Sequence, residues 1–255
     1  IVEKEIYREA NGLSMATFQL LSVFGPALAG IFAVWMGATQ IFFINGATLF
    51  VAILIILTIP KGTLQKGVNN ENTASKNTWN EVLKGIRLLF GNKIVRFALS
   101  IEFISAIAGA IILVNTIGLV KNSLKLDDQH YGWIMSIFGV GAAITAFLLG
   151  SLDKSKSRSV SLISGAMLLG IAISFANFLP YNGVMFLWVL GGIGQTLADM
   201  PSETLIGENI EAKDHGKVYG ARFAFSHLWW AIAYPIAGFL GTQFPGREFL
   251  YGGIA

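Results

Sequence analysis

Uninterrupted apolar runs of about 20 residues recur along this sequence, and they restrict its fold more than any other feature. A helix rises 1.5 Å per residue, so about 20 residues cross the roughly 30 Å hydrocarbon core of a bilayer. Seven such runs can be read: Leu13–Met36, Gln40–Ile59, Phe97–Val120, Tyr131–Ser151, Ser159–Phe178, Gly183–Ile206 and Val218–Gly241. Four of the seven contain no Asp, Glu, Lys or Arg. Strands of a closed barrel would alternate apolar and polar over about ten residues, and these runs do not alternate. Hydrocarbon offers the backbone no water, so runs of this length satisfy their own hydrogen bonds as helices. Charged residues make up 13% of the chain, against about 25% in soluble proteins. Hydrophobic residues reach 54%, more than a 255-residue globule can hide. The expected fold is all-α, a polytopic helix bundle whose first partner is the lipid bilayer.

The connections divide the chain. Gly37-Ala38-Thr39 and Leu179-Pro180-Tyr181-Asn182 read as tight turns between antiparallel neighbours. Residues 61–77, rich in Asn, Thr and Lys, read as a flexible linker between two bundles. Thr78-Trp-Asn-Glu81 then has the pattern of a helix N-cap. Apolar residues recur on one face from Trp79 to Phe90, so 78–92 is expected to be an amphipathic helix on the membrane surface, with an ordinary packed helix as the alternative. Three regions follow: 1–60 with two crossings, 61–96 as the connecting segment, and 97–255 with five. Fifteen of the 18 Lys and Arg fall on one side of this threading, which the positive-inside rule assigns to the cytoplasm. Residues 1–12, 60–96, 152–158 and 207–217 are therefore expected to be cytoplasmic. The surplus cations mark topology, and no nucleic-acid partner is expected.

An internal repeat is also legible. Gly12 and Gly30 flank the first run as Gly220 and Gly238 flank the seventh, at a common offset of 208 residues, with Pro26 and Pro235 out of step by one. Both helices point the same way, which is the pattern of a transporter built from parallel six-helix units. Three stretches carry a family resemblance. Tyr131-Gly-Trp-Ile-Met-Ser-Ile-Phe-Gly139-Val-Gly141, continuing through Gly150-Ser-Leu-Asp153-Lys154 to Arg158, resembles the major facilitator superfamily helix that ends in a Gly-x-Leu-x-Asp-Arg loop. That loop is one residue short here, with Ser155–Ser157 in place of the usual Gly-Arg. Pro201-Ser-Glu-Thr-Leu-Ile206 with Gly216-Lys-Val-Tyr-Gly220 is similar to the approach to the fold's eleventh helix, and 81–96 to the entry of its seventh in macrolide-efflux and enterobactin-exporter proteins. The resemblance implies an incomplete major facilitator fold, an interior piece covering helices five to eleven of twelve. It further implies a monomeric, multi-pass cell-membrane carrier working by alternating access, exporting an amphipathic drug or siderophore against protons. An importer or lipid flippase of the same fold remains open, as does a non-transporting membrane receptor or membrane-embedded enzyme.

Within the crossings, each charge is a functional candidate, because a charge near the bilayer centre costs about 2.5–3.5 kcal/mol on insertion scales. Glu102, five residues past Phe97, either faces the central cavity to bind a proton or cation, or pairs with Arg96 or snorkels. It is the residue expected to carry coupling. Asp199 and Glu203 share a helical face near one end of the sixth run, and Arg222 lies near the same end of the seventh. They read as an ion-pair cluster, a cytoplasmic gate or both, with Asp153 and Arg158 as loop partners. His227 near mid-membrane is a relay or a neutral bonded imidazole. Asn45, Asn115 and Gln195 line a cavity or bond between helices. The small faces Gly139-Gly141-Ala143 and Gly191-Gly192-Gly194 permit close backbone approach. With no cysteine, no metal-ligand spacing and no phosphate-binding loop, neither a cofactor, a metal nor an enzymatic activity is expected.

Overall fold

Each apolar run that falls within the described residues forms a helix. In the computed structural model these residues are 38–58, 78–151, 158–211 and 214–254, together with Leu21, Phe32, Trp35 and Met36. The expected crossing Leu13–Met36 (apart from those four positions), the linker 61–77 and the loop residue Asp153 lie outside them. The helices in chain order are α1 (Ala38–Leu57), α2 (Thr78–Gly91), α3 (Lys93–Gly118), α4 (Asp128–Ser151), α5 (Arg158–Phe175), α6 (Tyr181–Glu208), α7 (His215–Gln243) and α8 (Glu248–Ile254). No strand occurs among the described residues. Six of the helices are long and apolar enough to cross a membrane: α1, α3, α4, α5, α6 and α7.

The crossings run past the limits that hydropathy alone sets. Asn92 caps α3, its Oδ1 accepting from the Ile94 and Val95 amides at 2.8 and 3.5 Å, so the helix starts four residues before Phe97. Lys93 and Arg96 then lie inside it, because a long cationic stem can keep its head in water without breaking the helix. A π-helical turn, Leu119–Ser123, prolongs α3, and Lys125 at φ 58° reverses the chain into α4. At the far end of α5 a 3₁₀ turn, Ala176–Phe178, tightens the approach to Pro180, which leads into α6.

Two prolines sit inside crossings. Pro201 has no N–H, which frees the Leu197 carbonyl four residues back. Ser161 on α5 fills that vacancy, its hydroxyl donating to Leu197 O at 3.2 Å. Hydrocarbon tolerates a helix-breaking residue when a neighbouring helix repairs the lost bond in this way. Pro235 lies inside α7.

Helix α6 packs against α3, α4 and α5. The contacts are made backbone to backbone where the sequence puts glycine. A Cβ on Gly192 would lie 2.0 Å from the Phe138 carbonyl of α4, and one on Gly165 2.6 Å from the Gly194 carbonyl. Around these contacts Ile112, Ile134, Leu169 and Val184 are fully buried, and Trp188 meets Phe249 of α8 edge-on at 5.3 Å. The outward faces carry Phe147, Met167, Phe186 and Phe223, all more than 60% exposed, which suits hydrocarbon rather than water.

Helix α2 packs on α7. Leu89 is fully buried against Val218 and Ala221, and Phe90 meets Phe225 edge-on at 5.0 Å. Gly85, which interrupts the apolar periodicity, is the contact point: a Cβ there would come within 2.5 Å of the Lys217 carbonyl. Val82 and Leu83 stay exposed on the same helix. Lys84 donates to the buried Asp214 at 2.8 Å and fixes the docking.

Candidate functional site

Alternating direction brings the first turns of α3 and α7 and the last turns of α6 to one end of the bundle. Each contributes charge there. Glu102 lies nine residues into α3 and is 7% exposed. The Arg222 guanidinium of α7 donates to it through Nε at 3.0 Å and Nη2 at 2.5 Å. Both bonds reach the same oxygen, Oε1, which also accepts from the Ser202 hydroxyl of α6 at 3.1 Å. Oε2 is buried and has no partner. The carboxylate is thus held from one side only. The third guanidinium nitrogen, Nη1, lies 3.3 Å from Glu203 Oε1. Arg222 therefore ties α7 to both α3 and α6.

Asp199, one turn before Glu203 on α6, completes the cluster. It lies within electrostatic reach of Glu102 and Arg222 and beside the Ser105 hydroxyl and the Gln195 amide. Ser105 Oγ is buried and lacks a hydrogen bond of good geometry. The Gln195 amide and the Trp230 ring close over Gly109 of α3, where an added Cβ would lie 2.9 Å from Trp230 and 3.2 Å from the Gln195 amide nitrogen. Trp229 packs on Phe103 at 4.9 Å, with its indole N–H buried and unpartnered. Acidic and aromatic side chains therefore meet between α3, α6 and α7.

The remaining expected residues are placed elsewhere. Arg96 does not pair with Glu102; that role falls to Arg222. Asn115 donates to the Ala237 carbonyl at 3.1 Å, bracing α3 on α7 deep in the bundle. His227 is exposed on the outer face of α7, its Nδ1 2.8 Å from the Phe223 carbonyl of its own helix. Since a carbonyl only accepts, Nδ1 carries the proton. Arg158 pairs with Glu208, joining α5 to α6 two turns from Asp199. Asn45 is exposed on α1. Sequence reasoning passed over Ser105 and Ser202, although Ser105 stands one turn after Glu102 and Ser202 follows the proline. It also passed over a second polar knot at the other end. There Asn177 Oδ1 accepts from the Phe249 and Leu250 amides, and Glu248 is buried. No group of three His, Cys, Asp or Glu among the described residues is arranged to hold a metal ion.

Membrane-length helices closed around an intramembrane ion cluster define a multi-pass helical membrane protein rather than a soluble enzyme. Residues 98–254 match the family model of the Major Facilitator Superfamily, and the chain belongs to that superfamily. It is 26% identical over 214 residues to an uncharacterized MFS-type transporter, YfiS, of Bacillus subtilis (strain 168), covering 78% of this chain and 49% of that protein. It is also 26% identical over 185 residues to a multi-drug resistance efflux pump PmrA homolog of Lactococcus lactis subsp. lactis (strain IL1403), covering 71% of this chain and 43% of that one. The chain thus spans about half the length of the curated relatives it matches. No solved structure matches it.

Proposed function

We propose that the protein is a secondary active efflux carrier of the cell membrane, working by alternating access and driven by proton entry. The observation that carries this reading is the cluster on α3, α6 and α7: three carboxylates lie near one guanidinium, two of them paired with it, inside spans where charge is expensive. An excess of carboxylates over cations at such a site suits a group that takes up and releases a proton during the working cycle. The cargo is an amphipathic small molecule, a drug or siderophore. Its apolar part suits the Trp229, Trp230 and Phe103 side chains beside the acidic groups. The name of the Lactococcus relative and the sequence likeness to macrolide and enterobactin exporters favour the same direction of transport. In this reading 60–96 and 207–217 face the cytoplasm, residues 1–60 and 97–255 belong to two bundles, and the carrier acts as a monomer. Parting α7 from α3 and α6 breaks both Arg222 contacts, which makes the cluster a gate as well as a charge site.

The test uses the full-length protein in cells stripped of their own exporters, loaded with ethidium or with erythromycin. Export that stops when an uncoupler collapses the proton gradient is the expected result. Accumulation unchanged by expression, or faster uptake of either compound, overturns the efflux reading.

A further inference from the structure

We propose that Asp199 is the proton-binding carboxylate of the cluster, with Glu102 the anchor that holds Arg222. This inference rests on the coupling reading above and divides the labour within the same site.

The argument is one of partners. Glu102 Oε1 receives three donors, two from Arg222 and one from Ser202. That oxygen is thereby committed to Arg222 and Ser202. Glu203 lies against the remaining guanidinium nitrogen and is 41% exposed. All three guanidinium nitrogens of Arg222 are thus engaged by Glu102 or Glu203. Asp199 makes no ion pair of its own among the described residues, although it shares the region with two carboxylates. No other element relieves it. Helix α4 carries no acidic, basic, His or Tyr residue beyond Tyr131. On α5 the nearest cation, Arg158, is committed to Glu208. Tyr219 is the other titratable group of α7 near Glu203 and is neutral at ordinary pH.

With all groups ionised, three negative charges face one positive charge. One proton from water, bound to an Asp199 oxygen, leaves two against one and forms a neutral carboxyl; its release restores the carboxylate. The buried Ser105 hydroxyl beside it fits both states, because a hydroxyl donates to a carboxylate and accepts from a carboxylic acid. Ser105 is a positioning residue in this scheme.

The experiment needs no cargo. Trp229 and Trp230 report on this region, so the intrinsic fluorescence of the full-length protein in lipid nanodiscs is titrated between pH 4.5 and 9. Wild type should show a titration step. Asp199→Asn should lose it, Asp199→Glu should restore it at a displaced midpoint, and Glu102→Gln should keep it, also displaced. A flat wild-type titration, a step that survives in Asp199→Asn, or a step lost equally in Glu102→Gln overturns the assignment. The step is read without transport. Its loss in Asp199→Asn therefore supports the assignment even if ethidium export proves independent of the proton gradient.

Discussion

Helices α1 and α3 are equally apolar by mean hydropathy over their best membrane-length stretch, yet their surroundings are opposite. From Gln40 to Leu57 every residue but Ile41 is exposed, whereas α3 buries most of its length and carries Glu102 inside. Among the described residues several helices pack on α3 and none packs extensively on α1, and the two helices also differ in side-chain size and polar partners. Around its buried face α3 presents Ala98, Ser105, Ala106, Ala108, Gly109 and Ala110, which admit neighbouring helices closely. Helix α1 presents Phe42, Phe43, Leu49 and Phe50. Its polar Thr48 satisfies itself on the Asn45 carbonyl of its own chain. In a bilayer apolar character selects the solvent, and packing follows from small residues and interhelical hydrogen bonds.

The comparison can be broken most forcefully at Arg222. Arg222→Ala strands Glu102 as a buried, unpaired charge, and breaking such a pair typically costs about 3–5 kcal/mol. Thermal unfolding of the full-length protein in nanodiscs should show a large loss, mostly recovered in a Glu102→Gln, Arg222→Gln double variant. A single variant as stable as wild type would mean that the cluster is not what holds α3 to α7.

A matched pair comes next. Gly109→Val on α3 meets Trp230 and Gln195 and should cost about 1–3 kcal/mol, the usual range for overpacking. Gly46→Val on α1 has nothing within 4 Å among the described residues and should cost less than Gly109→Val. Equal losses would remove the contrast between the two helices. Asn92→Ala, which deletes the α3 cap, should cost about 1 kcal/mol in the same unfolding measurement.

The smallest effect is expected at the α3–α4 turn. The His130 side chain hydrogen-bonds Asp127 at 2.6 Å and holds its carboxyl below the usual range. A carboxyl depressed in the folded state stabilises above its unfolded pKa of about 3.9, and that contribution is lost as pH falls through the lower folded value. Asp127→Asn should therefore flatten a shallow decline in unfolding temperature between pH 5 and 3. A decline of unchanged slope would assign it to other carboxyls.

Much of this architecture was legible beforehand. Six crossings stand where the apolar runs put them, and the amphipathic segment begins at Thr78 as expected. Helix ends were less legible, because Asn92 extends α3 through charged residues that a hydropathy reading treats as loop. Gly85 interrupts the apolar pattern of α2, and a gap in periodicity gives no sign of the Lys217 carbonyl that fills it. At the site, the sequence already placed Asp199, Glu203 and Arg222 at one end. It left the partner of Glu102 open between Arg96 and others.

The sequence alone determined the solvent and the secondary structure, because an oily run of membrane length has one way to satisfy its backbone. It also brought the charges to one end, since antiparallel threading follows from where the runs stop. Which carboxylate takes the guanidinium was decided only by the tertiary structure. That choice depends on ångström-scale distances between residues about 120 positions apart, which no local pattern encodes.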